Sequence, residues 1–188
     1  MTDLPLIFAT VGTDVHPFDR MADWVDGWLE QNGAATARCV MQTGTSKTPK
    51  RAEHSPYLGY AEMQSMVQDA SVVVCHGGPG TIMLAASLGK IPIVMPRSSS
   101  LGEHVDDHQV AFCNRIAADG AILLASTEEE FRAHIDVVLR GDVLPPRVVS
   151  EADPAATTAR FEQLVEGLFR SQPDITKHAE ALTPGREA

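Results

Sequence analysis

Three β-branched residues in succession, Val72-Val73-Val74, run through Cys75 and His76 into Gly77-Gly78-Pro79-Gly80-Thr81 and then into the apolar stretch Ile82 to Leu88. A run of this kind suits a strand covered on both faces, and the glycines after it allow a turn that brings backbone N–H groups close to a ligand. A helix starting at that turn offers unpaired N–H groups and the positive end of its dipole, so the stretch is suited to an anion such as phosphate, with the Thr81 hydroxyl as a further donor. The alternative is an ordinary tight strand-to-helix connection of the sort found in any α/β protein.

The surrounding chain repeats the same alternation. Leu4 to Thr10 is a short buried strand ending in Val11-Gly12-Thr13-Asp14. Pro17 can open a helix, and Phe18, Met21, Ala22, Val25, Trp28 and Leu29 recur at helical spacing through Glu30. Thr36 to Gln42 is a second strand, and the basic segment from Lys47 to Pro56 lacks periodicity and is expected to be a loop. A helix over Ala61 to Asp69 precedes the opening strand. After it come a strand at Ile91 to Met95, a helix entered through Gly102 to Gln109 and ending near Ala118, a strand at Ala121 to Leu124, and a helix from Thr127 to Leu139. Pro154 to Arg170 is amphipathic, and the polar segment after it is expected to be a disordered tail. The expectation is thus an α/β fold, a doubly wound, Rossmann-like parallel sheet formed by residues 1–170, with 171–188 as the tail. In such a sheet the loops after Thr10, Gln42, Cys75 and Met95 open on one edge, where ligands bind.

A chain of 188 residues with 44% hydrophobic content suffices for one domain. Its net charge of -10 argues against nucleic acid as a partner, because phosphate backbones are bound by clustered Lys and Arg. Cys39, Cys75 and Cys113 are odd in number and set among apolar residues, so buried free thiols are expected rather than disulfides. The N-terminal stretch lacks a signal-peptide pattern and no apolar run approaches a membrane span, so the protein is expected in the cytoplasm.

Several chemistries fit poorly. His104 and His108 are four apart and would share a helix face with Asp107 nearby, but no His-Glu-x-x-His pattern or third ligand accompanies them, so no metal is expected. Gly80-Thr81 lacks the lysine of a P-loop, Gly12 stands alone where a dinucleotide fingerprint needs three glycines, and Ser98 to Ser100 lie in no nucleophile elbow.

Taken together, His76 to Thr81, Ser87-Leu88-Gly89-Lys90-Ile91-Pro92-Ile93-Val94-Met95-Pro96-Arg97 and Gly102-Glu103-His104-Val105-Asp106-Asp107-His108-Gln109 resemble the C-terminal nucleotide-sugar domain of glycosyltransferase family 28. Ala9-Thr10-Val11-Gly12-Thr13 with Pro17-Phe18 is similar to the start of the small, separate versions of that domain, found in two-subunit exopolysaccharide transferases and in the enzyme that adds the second GlcNAc to dolichol-linked GlcNAc. The likeness runs from about Ile7 to Leu139. It implies a single GT-B C-terminal-type domain that binds a UDP-sugar without a metal or other cofactor. The turn of Gly77, Gly78, Gly80 and Thr81 would hold the diphosphate beside His76, with Asp107, His108 and Gln109 facing the donor sugar and Gly12, Thr13 and His16 closing the other side. Arg97 would add a positive charge, or else be a solvent-exposed loop cation.

Two departures bear on function. The family's usual ribose-binding glutamate, three residues after the Gly-Thr pair, is Leu84 here, which cannot accept those hydrogen bonds. The chain also has material for one of the two GT-B domains. The resemblance therefore implies the donor-binding subunit of a two-component transferase acting on a lipid-linked or polysaccharide acceptor. A membrane-associated partner would recruit it to the inner membrane face and contribute the acceptor site and the general base; the local candidate for the base or for an acceptor contact is His16, which is otherwise a turn histidine capping the helix that begins near Pro17. The alternative is a non-catalytic module that scaffolds or regulates a partner transferase.

Overall fold

The computed structural model describes residues 4–32 and 35–142. Their elements are β1 (Leu6–Thr10), α1 (Asp19–Asn32), β2 (Arg38–Gln42), β3 (Glu53–Ser55), α2 (Tyr60–Asp69), β4 (Val72–His76), α3 (Pro79–Ser87), β5 (Ile93–Met95), α4 (His108–Ala118), β6 (Leu123–Leu124) and α5 (Glu128–Leu139), with one 3-10 turn at Ser99–Leu101. The strands form one parallel sheet in the order β3-β2-β1-β4-β5-β6. This is the doubly wound α/β arrangement expected from the alternation of strands and helices. The amphipathic segment at 154–170 and the tail from 171 lie outside the described residues.

The central strands show why their sequences are apolar without interruption. Ile7 and Ala9 of β1, with Val72 and Val74 of β4, pack on one face against Met21, Val25 and Trp28 of α1 and Phe131 and Ile135 of α5. Phe8 and Val73, which alternate with them, pack on the other face against Val67, Ala70 and Ala85 from the α2 and α3 layer. Residues 7–10 and 72–75 of these strands are all buried because both sheet faces are covered. α5 begins as its sequence indicated: Thr127 accepts a hydrogen bond from the Glu130 N–H, and the Glu130 carboxylate accepts from the Thr127 N–H.

The segment expected to be a loop contains β3. Val40, Met41 and Gln42 of β2 pair in parallel with Glu53, His54 and Ser55. β3 is a three-residue edge strand with two exposed residues, so it lacks the apolar periodicity by which a strand is recognised in sequence. Nor is the basic stretch before it loose. It lies along the acidic side of α1, where Asp19 accepts from the Lys47 N–H, Asp26 accepts from the N–H groups of Lys50 and Arg51, Lys47 pairs with Asp23, and Arg51 pairs with Glu30. The same loop sets the start of α1 two residues after Pro17, since the Ser46 hydroxyl accepts the Phe18 N–H at 2.7 Å.

All three cysteines are free and buried. Burial pushes the thiols of Cys39 and Cys113 up to about 12 and that of Cys75 upward as well, so none is a thiolate nucleophile at neutral pH.

Candidate nucleotide-sugar site

The strand order reverses direction between β1 and β4, and the crevice at their carboxyl ends is where a sheet of this kind binds ligands. A cleft of about 270 Å³ lies there. Gly12 and Thr13 from the β1–α1 loop, His76 at the end of β4, and Gly78 to Thr81 at the start of α3 line it, with Gln42, Leu58 and Met63 completing the wall.

His76 is the centre of this arrangement. Its ring is wedged between two glycines: a Cβ on Gly12 would lie 2.4 Å from Cε1, and one on Gly78 would lie 2.2 Å from Nε2. Gly12 has in addition a φ of +81°, in the left-handed region that disfavours other residues. Gly77 faces the other way, where a Cβ would meet Cys113 Sγ at 2.8 Å, so α4 packs directly on the turn. Gly80 has nothing within 4 Å of such an atom. The glycines thus divide into three that admit close neighbours and one that leaves the helix entrance clear.

α3 begins with Gly78 as its N-cap and Pro79 in its first turn, and no side chain caps this end. Its orphan N–H groups therefore face the cleft, and Thr81 lines the cleft beside them. His76 Nδ1 is buried without a hydrogen-bond partner among the described residues. Burial, followed by the Arg97 charge, pushes the His76 imidazole down to about 4, against smaller opposing pulls from the Thr10 backbone and Asp14. The ring is therefore neutral at physiological pH, with one nitrogen able to donate and the other to accept.

The remaining residues singled out in the sequence occupy different places. Arg97 is neither in the cleft nor at the surface. It is fully buried, with Nη1 donating to the carbonyls of His16 (2.7 Å) and Glu103 (2.9 Å), Nη2 donating to that of Val11 (2.8 Å), and its guanidinium 4.8 Å from the Phe18 ring centre. It clips the β1–α1 loop to the β5–α4 loop and acts on the cleft through its charge. Asp107 accepts from the N–H and hydroxyl of Ser99, fastening the serine-rich turn. Gln109 Oε1 accepts from the N–H groups of Gly77 and Arg97, which fixes the glycine turn from below. His108 opens α4 with a side chain 70% exposed. His104 lies in the turn before α4 rather than on it, so the shared helix face expected for His104 and His108 does not form. Among the described residues, no group of His, Cys, Asp or Glu is placed to hold a metal ion.

Sequence reading passed over three residues that build the site. Gln42 ends an apolar strand, accepting from the Thr10 hydroxyl at 2.9 Å and donating to the Gly12 carbonyl. Glu103 is buried and takes a bidentate hydrogen bond from Arg20, both contacts at 2.9 Å, and the Ser98 N–H. Asp14 lies between His16 and His104, joining the two loops. A polar residue closing an apolar strand is a detectable mark for Gln42. Glu103 and Asp14 carry none, because the partners by which they join separate segments, Arg20 and His104, are distant in sequence.

With this geometry in view, comparison decides the family: residues 6–166 match the glycosyltransferase family 28 C-terminal domain. The chain belongs to that family. It is 28% identical over 151 residues to a UDP-N-acetylglucosamine--N-acetylmuramyl-(pentapeptide) pyrophosphoryl-undecaprenol N-acetylglucosamine transferase of Bdellovibrio bacteriovorus, a match covering 78% of this chain and 36% of that protein. The fold is shared with the glycotransferase of kitacinnamycin (TM-score 0.56, 16% identity, 89% of this chain and 40% of the other). It is shared too with UDP-GlcNAc 2-epimerase from Neisseria meningitidis bound to UDP-GlcNAc (TM-score 0.54, 12% identity, 91% and 45%). The chain spans about a third to a half of the length of these proteins. No helix among the described residues is long and apolar enough to cross a membrane.

Proposed function

We propose that this chain is the donor-binding, catalytic part of a two-component glycosyltransferase that moves a sugar from a UDP-sugar to a lipid-linked or polysaccharide acceptor. The observation that carries this reading is the uncapped N-terminus of α3, opening into a cleft at the β1/β4 switch point beside a part-buried, neutral His76. The diphosphate sits on the Gly77–Thr81 turn. As the acceptor oxygen bonds to the anomeric carbon and the carbon–phosphate-oxygen bond breaks, the departing diphosphate keeps the electron pair, and the helix N–H groups and Thr81 stabilise its charge in place of a metal. The donor sugar lies toward the Asp107–Gln109 segment, where Asp107 and Gln109 hold the loop and His108 is the exposed member. His16 takes the acceptor proton. The acceptor site belongs to a membrane-associated partner, which brings the chain to the inner face of the membrane.

Leu84 favours a second reading, in which the fold is kept as a non-catalytic module that scaffolds a partner transferase. The Leu84 side chain packs against the cluster of Phe8, Val40, Val67 and Val73 together with Leu58 and Met63, so an apolar group fills the position from which a carboxylate would read ribose.

Calorimetry of the full chain with UDP, UDP-GlcNAc, UDP-glucose and dTDP-sugars separates the two readings. The transferase reading expects binding to at least one nucleotide, weakened about tenfold or more by His76→Ala or Thr81→Ala, and tightened up to about tenfold for a ribose-bearing ligand by Leu84→Glu. Absence of binding to every nucleotide, with the fold intact by circular dichroism, overturns it in favour of the scaffold.

A further inference from the structure

Beside the cleft, three histidines and two aspartates alternate across the two loops that Arg97 clips together. His16 Nδ1 lies 2.7 Å from Asp14 Oδ1, and His104 Nε2 lies 3.3 Å from Asp14 Oδ2. His104 Nδ1 and His108 Nδ1 meet the two oxygens of Asp106 at 3.3 and 2.8 Å. The two Asp-x-His segments share one local geometry. The carboxylate of Asp14 accepts the His16 N–H at 2.8 Å, and that of Asp106 accepts the His108 N–H at 3.0 Å, while the ring of each histidine folds back onto the same carboxyl group. Asp14 is the member that touches both loops.

The hydrogen bonds decide which way the protons point. His104 Nδ1 faces both the N–H and a carboxylate oxygen of Asp106 at 3.3 Å, and its Nε2 is the nitrogen that faces Asp14 and can donate to it. Asp14 is ionised. Its burial opposes the charge, but the backbone N–H and ring of His16, followed by Arg97, hold its carboxyl below the usual range. A carboxylate cannot donate, so the short contact with His16 requires the proton on His16 Nδ1 and leaves Nε2 with its lone pair.

We propose that Asp14 is the positioning residue for His16, fixing it in the Nδ1–H form with Nε2 as the acceptor of a hydroxyl proton, and that His104 holds Asp14 in turn. This rests on the transferase reading above for its purpose and on the local geometry for its substance. In the transfer step the acceptor O–H proton passes to His16 Nε2, and the imidazolium formed stays bonded through Nδ1 to the Asp14 carboxylate, which stabilises the positive charge. Other charged and titratable groups face this pair. Arg97 donates to the His16 carbonyl, the His104 ring centre is 6.2 Å from that of His16, and Asp106 stands behind His104. His16 is 37% exposed, on the same loop as Gly12 and Thr13 of the cleft, so a hydroxyl can approach it from solvent.

The test is long-range ¹H–¹⁵N correlation of the histidine rings in the full-length ¹⁵N-labelled chain, at a pH where His16 is neutral, with His16 assigned by its loss in His16→Gln. The expected result is an Nδ1–H ring in the wild type that reverts to the Nε2–H form in Asp14→Ser and Asp14→Ala. Serine can still accept the His16 backbone N–H but is too short to reach the ring, so Asp14→Ser separates loss of positioning from loss of the turn. His104→Ala is expected to broaden the distribution between the two forms without reversing it. A wild-type His16 protonated at Nε2, or a ring form unchanged in both Asp14 variants with a dispersed native spectrum, overturns the proposal. UDP added to the same wild-type sample reports separately on the donor reading, since failure to bind leaves the ring forms as they were.

Discussion

The glycine turn after β4 and the long loop after β5 lie side by side on the carboxyl edge of the sheet, and they treat their polar groups in opposite ways. The β5–α4 loop is closed on itself. Glu103 takes Arg20 and the Ser98 N–H, Asp107 takes Ser99, and Arg97 satisfies three carbonyls at once, with only its Nε left without a partner among the described residues. The β4–α3 turn is left open, with an uncapped helix end, a buried His76 nitrogen without a partner and a glycine with empty space in front of it. Buried polar groups without partners cost free energy, so an open turn persists only where its surroundings hold it rigidly. The closed loop supplies that rigidity, since Gln109 fixes Gly77 and Arg97 fixes the β1–α1 loop that carries Gly12.

The largest effect is therefore expected from breaking the closed side. Arg97→Met keeps most of the side-chain volume and leaves three buried carbonyls without their charged donor, which should cost about 3–5 kcal/mol of stability in urea unfolding. Arg97→Lys should recover only part of this, because an ammonium on a flexible stem does not reproduce the planar fork that reaches Val11, His16 and Glu103 together. A loss below about 1 kcal/mol in Arg97→Met would show that the loops hold each other without the clip.

The next effect belongs to the open side and is read in pH. The folded value of His76, about 4, lies below its ordinary value of 6.5. As pH falls, the unfolded chain takes up this proton first. Stability therefore declines from about pH 6.5 to about pH 4, by up to about 3 kcal/mol, and this contribution is level below that window. Asp14, Asp106 and Asp107, whose carboxyls are held below the ordinary value, act in a more acidic range, where protonation removes their hydrogen bonds. Comparing wild type with His76→Gln at pH 7 and pH 4.5 isolates the His76 contribution. Equal slopes in the two proteins would mean that the ring is solvated.

The same contrast explains how much could be read from sequence. The open turn was legible because its requirements are local: strand, glycines and helix start follow one another within ten residues, and the apolar alternation of β1 and β4 declares a sheet covered on both faces. The contacts that tie the closed loop to the rest of the fold were not, because they join residues far apart. Arg97 meets Val11 across 86 positions and Glu103 meets Arg20 across 83. A lone arginine after a strand gives no local sign of whether it faces a ligand, faces water or is buried on carbonyls. β3 was missed for a different reason, since an exposed edge strand of three residues carries no hydrophobic pattern.

The smallest of these effects tests whether the open turn is held by packing alone. Gly78 has an ordinary φ of −79°, so alanine there suffers no backbone strain and its whole cost arises from the Cβ that would lie 2.2 Å from His76 Nε2. Overpacking of this kind costs about 1–3 kcal/mol. If the ring is the obstacle, Gly78→Ala should be destabilising by itself and nearly neutral on a His76→Ala background, giving a coupling close to the full single-mutant cost. Gly12→Ala behaves differently, because removing the ring relieves the contact with Cε1 but not the left-handed backbone. Additive effects of Gly78→Ala and His76→Ala would mean that the turn shifts away from the ring. The glycine would then serve the approach of a ligand rather than the seating of the histidine.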